Sequence, residues 1–209
     1  MTTTHIYKLT LDSFDIRNTR ARHEDTNYVS LGATVVGGGH QQHSRPQKKF
    51  LGNVNNGHHV IGLHIDNIKV EPNDKLVMNY IMINSGHGKQ NPNQVLGKLE
   101  NASSTLIKKG ADAAAAGVGA VIGSSVIPGL GTVLGAAAGW VVSEIGGALF
   151  ADCDGPVAVE QATFSAADLE NRTQHGAFSH KTHHPGTDSP TGCGSNSSYD
   201  VTWTISRTG

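Results

Sequence analysis

A chain of 209 residues can bury one substantial core, alone or with a sizeable insertion, and is too short to favour two complete domains. Sixteen Lys and Arg against seventeen Asp and Glu leave a formal net charge of −1, which excludes the basic surface that grips a nucleic-acid backbone. Twelve histidines are the exception in this balance, because a fall in pH through about 6.5 would turn the same surface positive.

The opening stretch "MTTTHIYKLTLDSFDI" has no basic segment followed by an apolar one. No Sec signal peptide is therefore expected, and the chain is read as cytoplasmic or released by a signal-less route. From residue 6 it alternates as a strand does, with Tyr7, Leu9 and Leu11 on one face and Lys8, Thr10 and Asp12 on the other. In "YVSLGATVV", Val29, Leu31, Ala33 and Val35 alternate in the same way with Ser30, Gly32 and Thr34. The polar, glycine-rich stretch 37–57 predicts a long connection that offers a contact surface. "HHVIGLHIDNIKV" and "KLVMNYIMIN" repeat the alternation more loosely, and the turn residues "EPND" between them predict a hairpin pairing 60–70 with 75–84.

After residue 90 the period changes. "NPNQVLGKLENASSTLIKK" sets Val95, Leu96, Leu99, Ala102, Leu106 and Ile107 on one helical face, with Asn91 or Asn93 as N-cap and Pro92 in the first turn. Strand character returns in "PVAVEQATF" and again in "SYDVTWTISR", where Tyr199, Val201, Trp203 and Ile205 face opposite to Asp200, Thr202, Thr204 and Ser206. Between them, "HKTHHPGTDSPTGCGSNS" predicts a second long loop. Strands on both sides of a helical block define a mainly β fold with an α insertion. The expected architecture is an antiparallel β-sandwich of about six to eight strands, built from 1–90 and 152–209 and interrupted by a helical segment over 91–151.

Residues 113–143, bounded by Asp112 and Glu144, carry no charge. Pro128 within "IPGLG" breaks the helical pattern and predicts two arms, roughly 111–126 and 130–150. Small residues recur at every fourth position: Ala111, Ala115, Gly119 and Gly123 in the first arm, and Gly131, Gly135, Gly139, Ser143 and Gly147 in the second. Each internal glycine costs about 1 kcal/mol of helix propensity relative to alanine, so such a line implies close approach of two backbones.

In composition and hairpin form the arms resemble the hydrophobic helical hairpins of colicin-like pore formers and the glycine-zipper segments of membrane-inserting toxins. That resemblance implies a hairpin that enters lipid or assembles with copies of itself, with Trp140 as an interfacial anchor or a core filler. Lys98, Lys108 and Lys109 ahead of the first arm could meet anionic headgroups. The alternative is a hairpin that stays packed on the sandwich, in a structural or assembly module whose loops bind a protein or glycan.

His40 and His43, and likewise His180 and His183, have the spacing of zinc ligands, and His58-His59 and His183-His184 are adjacent pairs, but no HExxH or CxxC accompanies them. Read as loop residues, His180, His183 and His184 are candidates for an acid switch that loosens the hairpin. Asp12, Asp15, Glu24 and Asp25 are expected near strand ends, an arrangement loosely similar to the calcium site of lipid-binding C2 domains. Calcium and zinc are the only ions these patterns suggest, and no cofactor is expected.

Cys153 and Cys193 would pair in an oxidising compartment and remain buried thiols in a reducing one. No G-x-S-x-G or Cys-His motif is present, and "GVGAVIGSS" lacks the lysine of a phosphate loop, so no enzyme is expected. The sequence thus predicts a non-enzymatic, toxin-like or pore-forming protein that engages a membrane, or a protein partner, and can form a homo-oligomer.

Overall fold

The computed structural model describes residues 3–20, 24–37, 40–43, 45–85, 91–116, 154–185 and 197–209. Over these residues the chain is mainly β, with nine strands and two helices. In chain order they are β1 (His5–Asn18), β2 (Asp25–Gly37), β3 (His40–His43), β4 (Gln47–Val54), β5 (Gly57–Val70), β6 (Lys75–Asn84), α1 (Pro92–Ala115), β7 (Gly155–Ser165), α2 (Ala166–Arg172), β8 (Ala177–Pro185) and β9 (Ser198–Arg207). Every strand pairing is antiparallel. Sheet A has the order β5-β1-β9-β8. In sheet B, β2 carries β3 and β4 along one side and β6 along the other, and β7 follows β6.

The two sheets share one apolar core. Tyr7, Leu9, Leu11, Val201, Trp203 and Ile205 of sheet A meet Val29, Leu31, Met78, Met82 and Phe164 of sheet B, all buried as their alternation requires. A bulge keeps β1 in phase with this core: its register shifts between Leu11 and Ser13 against both neighbours. Phe14 and Ile16 therefore point inward after Leu11, and Asp15 and Arg17 point outward with Asp12.

The second face of sheet B is covered by α1. Val95, Leu99, Ala102 and Leu106 pack on Tyr28, Ile81, Ile83 and Val159. Asn91 caps the helix by accepting from the Asn93 amide at 3.0 Å, and Pro92 occupies the first turn, as the sequence predicts. The helix runs antiparallel to β6: Asn79 bonds Ser103, and Lys75 donates to the Ala114 carbonyl at 2.9 Å. It continues without a break to Ala115, so residues 111–115 end this helix and do not begin a separate arm.

Close approach here depends on small residues. A Cβ on Gly32 would lie 2.2 Å from Ile107 Cδ1, and one on Gly110 would lie 1.6 Å from Gln161 Nε2. Two polar side chains of sheet B under the helix are bonded to it: Asn79 donates to the Ser103 carbonyl at 2.9 Å and Gln161 to the Leu106 carbonyl at 3.3 Å.

Several expectations are corrected. The predicted hairpin between 60–70 and 75–84 does not form, because β5 pairs with β1 in sheet A while β6 lies between β2 and β7 in sheet B. Burial explains the difference. β6 is buried on both faces and requires an interior position, whereas β5 exposes alternate residues and suits a sheet edge. The polar stretch 37–57 contains β3 and β4, and the predicted loop over 180–197 begins as strand β8. The unpredicted α2 is set by a capping box in which Ser165 and Asp168 bond each other's backbone amides at 3.1 Å.

Asn84 and Gly155 are register partners on β6 and β7, so the stretch between them leaves and rejoins sheet B at one place. Of that stretch, α1 is described, and its last turn is fixed at the opposite end of β6 by Lys75.

Gly32→Val should lower stability by about 1–3 kcal/mol through overpacking beneath α1. Urea midpoints of Gly32→Val, Ile107→Ala and the double variant check this. The double variant should lose clearly less than the sum of the two, because the truncated Ile107 vacates the space the new side chain needs.

Candidate functional site

Two polar clusters lie back to back across sheet A, and strand alternation decides which residues join each. On β8, His180, Thr182 and His184 face inward, while Ser179, Lys181 and His183 face outward. The three histidines proposed as a switch therefore lie on a strand and on opposite faces of it. His180 is half-buried with its ring 5.3 Å from that of Trp203, His183 is exposed, and His184 is buried.

The inner cluster joins the sheets at the seam between β7 and β8. Tyr80 and Glu160 are register partners on β6 and β7, and both are fully buried. The Glu160 carboxylate accepts three bonds at Oε2: from the Tyr80 hydroxyl at 2.7 Å, Thr182 Oγ1 at 2.8 Å and the Trp203 indole nitrogen at 3.3 Å. Its other oxygen has no partner among the described residues. His184 Nε2 lies 2.6 Å from the Tyr80 hydroxyl. Burial raises the Tyr80 hydroxyl well above its usual pKa, with the Glu160 charge adding to the effect. Burial and the neighbouring His183 together push His184 down to about 4, against a smaller pull upward from Asp200.

The outer cluster is a row across all four strands of sheet A. His58, Asp15, Asp200 and His183 are successive register partners on β5, β1, β9 and β8. Each histidine donates through Nδ1 to the neighbouring carboxylate, His58 to Asp15 at 2.8 Å and His183 to Asp200 at 2.6 Å. Lys181 donates to Asp15 at 2.7 Å, and Arg17 to Asp200 at 2.7 Å. Bonds from Lys181 and then His58 hold the Asp15 carboxyl below its usual range. Burial pushes Asp200 upward, and the bonds from His183 and Arg17 outweigh it, so Asp200 is also held low.

A third buried group lies where the stretch between β6 and β7 is attached. Tyr199 donates to Asp25, Asn27 donates to the Tyr199 hydroxyl at 2.9 Å, and Ser85 donates to Asp154 at 3.2 Å. Burial and Asp25 raise the Tyr199 hydroxyl far above its usual pKa.

The residues considered for metals are dispersed. Asp12 and Asp15 lie on the outer face of sheet A, where Asp12 accepts from Thr204 at 2.7 Å. Asp25 is buried in sheet B, and Glu24 is exposed, accepting from Asn53 at 2.6 Å. The adjacent pairs His58-His59 and His183-His184 straddle their strands: His59 stacks on Phe14 with ring centroids 5.0 Å apart, while His58 points outward to Asp15. Among the described residues no three His, Cys, Asp or Glu side chains gather closely enough to hold a metal ion.

Ala115 is the exposed last residue of α1. Gly119, Gly123, Gly131, Gly135, Gly139, Trp140, Ser143 and Gly147, and both Cys153 and Cys193, lie outside the described residues. No described helix is long and apolar enough to cross a membrane.

Sequence reasoning missed Tyr80 and Glu160. The available signal was a lone carboxylate inside the apolar run "PVAVEQATF", at a position where alternation turns it toward the core. Comparison with protein-family models, with curated proteins and with solved structures returns no match.

Asp200→Asn should destabilise the protein at neutral pH and cease to do so in acid. A carboxyl held low in the folded state stabilises above the unfolded value of about 3.9, and that contribution disappears as pH falls through the folded value. Urea midpoints of wild type and variant should therefore differ at pH 7 and converge as pH falls through the lowered folded value of Asp200.

Proposed function

We propose that this is a non-enzymatic, membrane-engaging protein of toxin-like or pore-forming type, in which a β-sandwich scaffold presents the Gly/Ala-rich stretch that follows α1, as far as residue 150, to lipid. The observation that carries the reading is the way the uncharged run over 113–143 starts from a fixed and basic platform. It begins in the last turn of α1, whose apolar face is committed to sheet B and whose solvent side exposes Lys98, Lys108 and Lys109 with Asp112. The helix's only glutamate, Glu100, is already engaged by Arg45 at 2.7 Å and by Lys48. Lys98 and Lys108 near an anionic leaflet would each contribute about 1 kcal/mol, which draws the uncharged run toward the surface before any insertion.

One observation favours the alternative of a structural or partner-binding module. Gly110, Ala111 and Ala114, the small residues that lead into the run, are buried against the protein. A continuation of that pattern would keep the whole run packed.

Dye release from anionic vesicles, with wild type beside Gly135→Leu and a Lys98/Lys108/Lys109→Glu triple variant, separates the two. On the membrane reading wild type releases dye, Gly135→Leu stays folded and silent, and the triple variant binds vesicles at least about tenfold more weakly. Silence of the wild type, with Gly135→Leu unfolding in water, would transfer the assignment to the packed module.

A further inference from the structure

We propose that the seam between β7 and β8 is an acid-operated latch, closed while the His184 imidazole is neutral and released when that ring takes a proton from solvent. The inference does not depend on lipid binding.

The bonding order defines the closed state. The Tyr80 hydroxyl proton is directed to Glu160 Oε2, so His184 must supply the proton of its own contact with Tyr80 and is the neutral tautomer bearing Nε2–H. An added proton therefore goes to Nδ1 and places a positive charge in a site that is 6 % exposed.

The groups facing the ring offer that charge little relief. From β6 comes Tyr80, already committed as a donor, and from β7 comes Glu160, which reaches the ring only through the Tyr80 hydroxyl and whose Oε1 has no partner among the described residues. From β9 come the register partner Tyr199, whose hydroxyl is directed to Asp25, and Asp200, which is held by His183 and Arg17 on the opposite face. Along β8 itself the flanking His183 adds like charge once protonated, and His180 lies against Trp203. Burial thus dominates, and it depresses His184 to about 4.

Release is local because of where the ring lies. Among the described residues β8 is an edge strand of sheet A and pairs only with β9, so it can separate from sheet B without breaking the pairing of any other described strand. Thr182 and His184 would then leave Glu160 and Tyr80 together.

The sign follows from the direction of the shift. A histidine held below its unfolded value of about 6.5 gives its full stabilisation above that pH, and the contribution is lost as pH falls toward the folded value. Acid loss of paired carboxylates such as Asp15 is a separate background shared by any His184 variant.

Trp203, bonded to Glu160, is the reporter, and Trp140→Phe leaves it the sole tryptophan. In that background, tryptophan emission is recorded from pH 7.5 to 3 with and without His184→Gln, whose amide keeps a donor for Tyr80. The imidazole signals are followed by NMR over the same range. The latch predicts a red shift of emission that develops as pH falls toward 4, while far-ultraviolet sheet signal persists. It also predicts that the shift tracks one ring titrating near 4 and is absent in His184→Gln. Emission that is unchanged with pH, or that shifts equally in His184→Gln, overturns the latch. Should His184→Gln fail to fold at pH 7.5, the NMR titration decides: a His184 ring titrating between 6 and 7 overturns the proposal, and one titrating with the Trp203 shift near 4 supports it.

Discussion

The strands β2, β6 and β7 of sheet B are buried on both faces, and most other features of the molecule answer to that constraint. An antiparallel sheet ordinarily leaves one face to water, yet β2, β6 and β7 are buried almost throughout. Sheet A covers one side and α1 the other. Every polar group on the helix side must then be bonded within the protein or cost about 1–3 kcal/mol, and Asn79 and Gln161 meet that demand through Ser103 and the Leu106 carbonyl. The helix must also lie low, which is why Gly32 and Gly110 occupy positions where a methyl group would collide.

Sheet A is under the opposite regime, with one face in the core and one in water. Its strands can therefore carry two kinds of chemistry at neighbouring residues. Outward positions form the row from His58 to His183, in which exposed cations and imidazoles surround two carboxylates. The pairs of the part-exposed Asp15 add little stability individually, whereas those of the buried Asp200 are better shielded. Inward positions put His184 and Thr182 against Glu160 and Tyr80, where each bond is shielded from solvent and a change of charge is costly. A proton taken up at His183 meets water and a carboxylate, whereas one taken up at His184 meets a closed core. The difference between two adjacent residues comes from strand alternation alone.

Much of the scaffold was legible in the sequence. The inward faces of β1, β2 and β9 and the buried face of α1 follow from periodicity, and the helix start follows from Asn91 and Pro92. The pairing was not legible, because the turn at "EPND" has the same residues whether it closes a hairpin or carries the chain from one sheet to the other. The better signal was that "KLVMNYIMIN" is apolar on both sides, which demands an interior strand. β8 was hidden by its histidines and lysine, polar residues that a strand accommodates when alternate ones face water. The inner site needed tertiary knowledge: Tyr80 and Glu160 are brought to His184 by the stacking of two sheets, which no local spacing encodes. The phase of Asp15 depended on a bulge that sequence alternation does not announce.

On the proposed function, a doubly covered sheet stays fixed while a Gly/Ala-rich stretch acts on lipid. Hydrogen–deuterium exchange of the full chain, with and without anionic vesicles, tests that division most directly. On that proposal, amides of β2, β6 and β7 remain the slowest to exchange in both conditions, while protection changes on vesicle addition within 111–150. Unchanged exchange throughout 111–150, or loss of protection in β6 when vesicles are present, would contradict it.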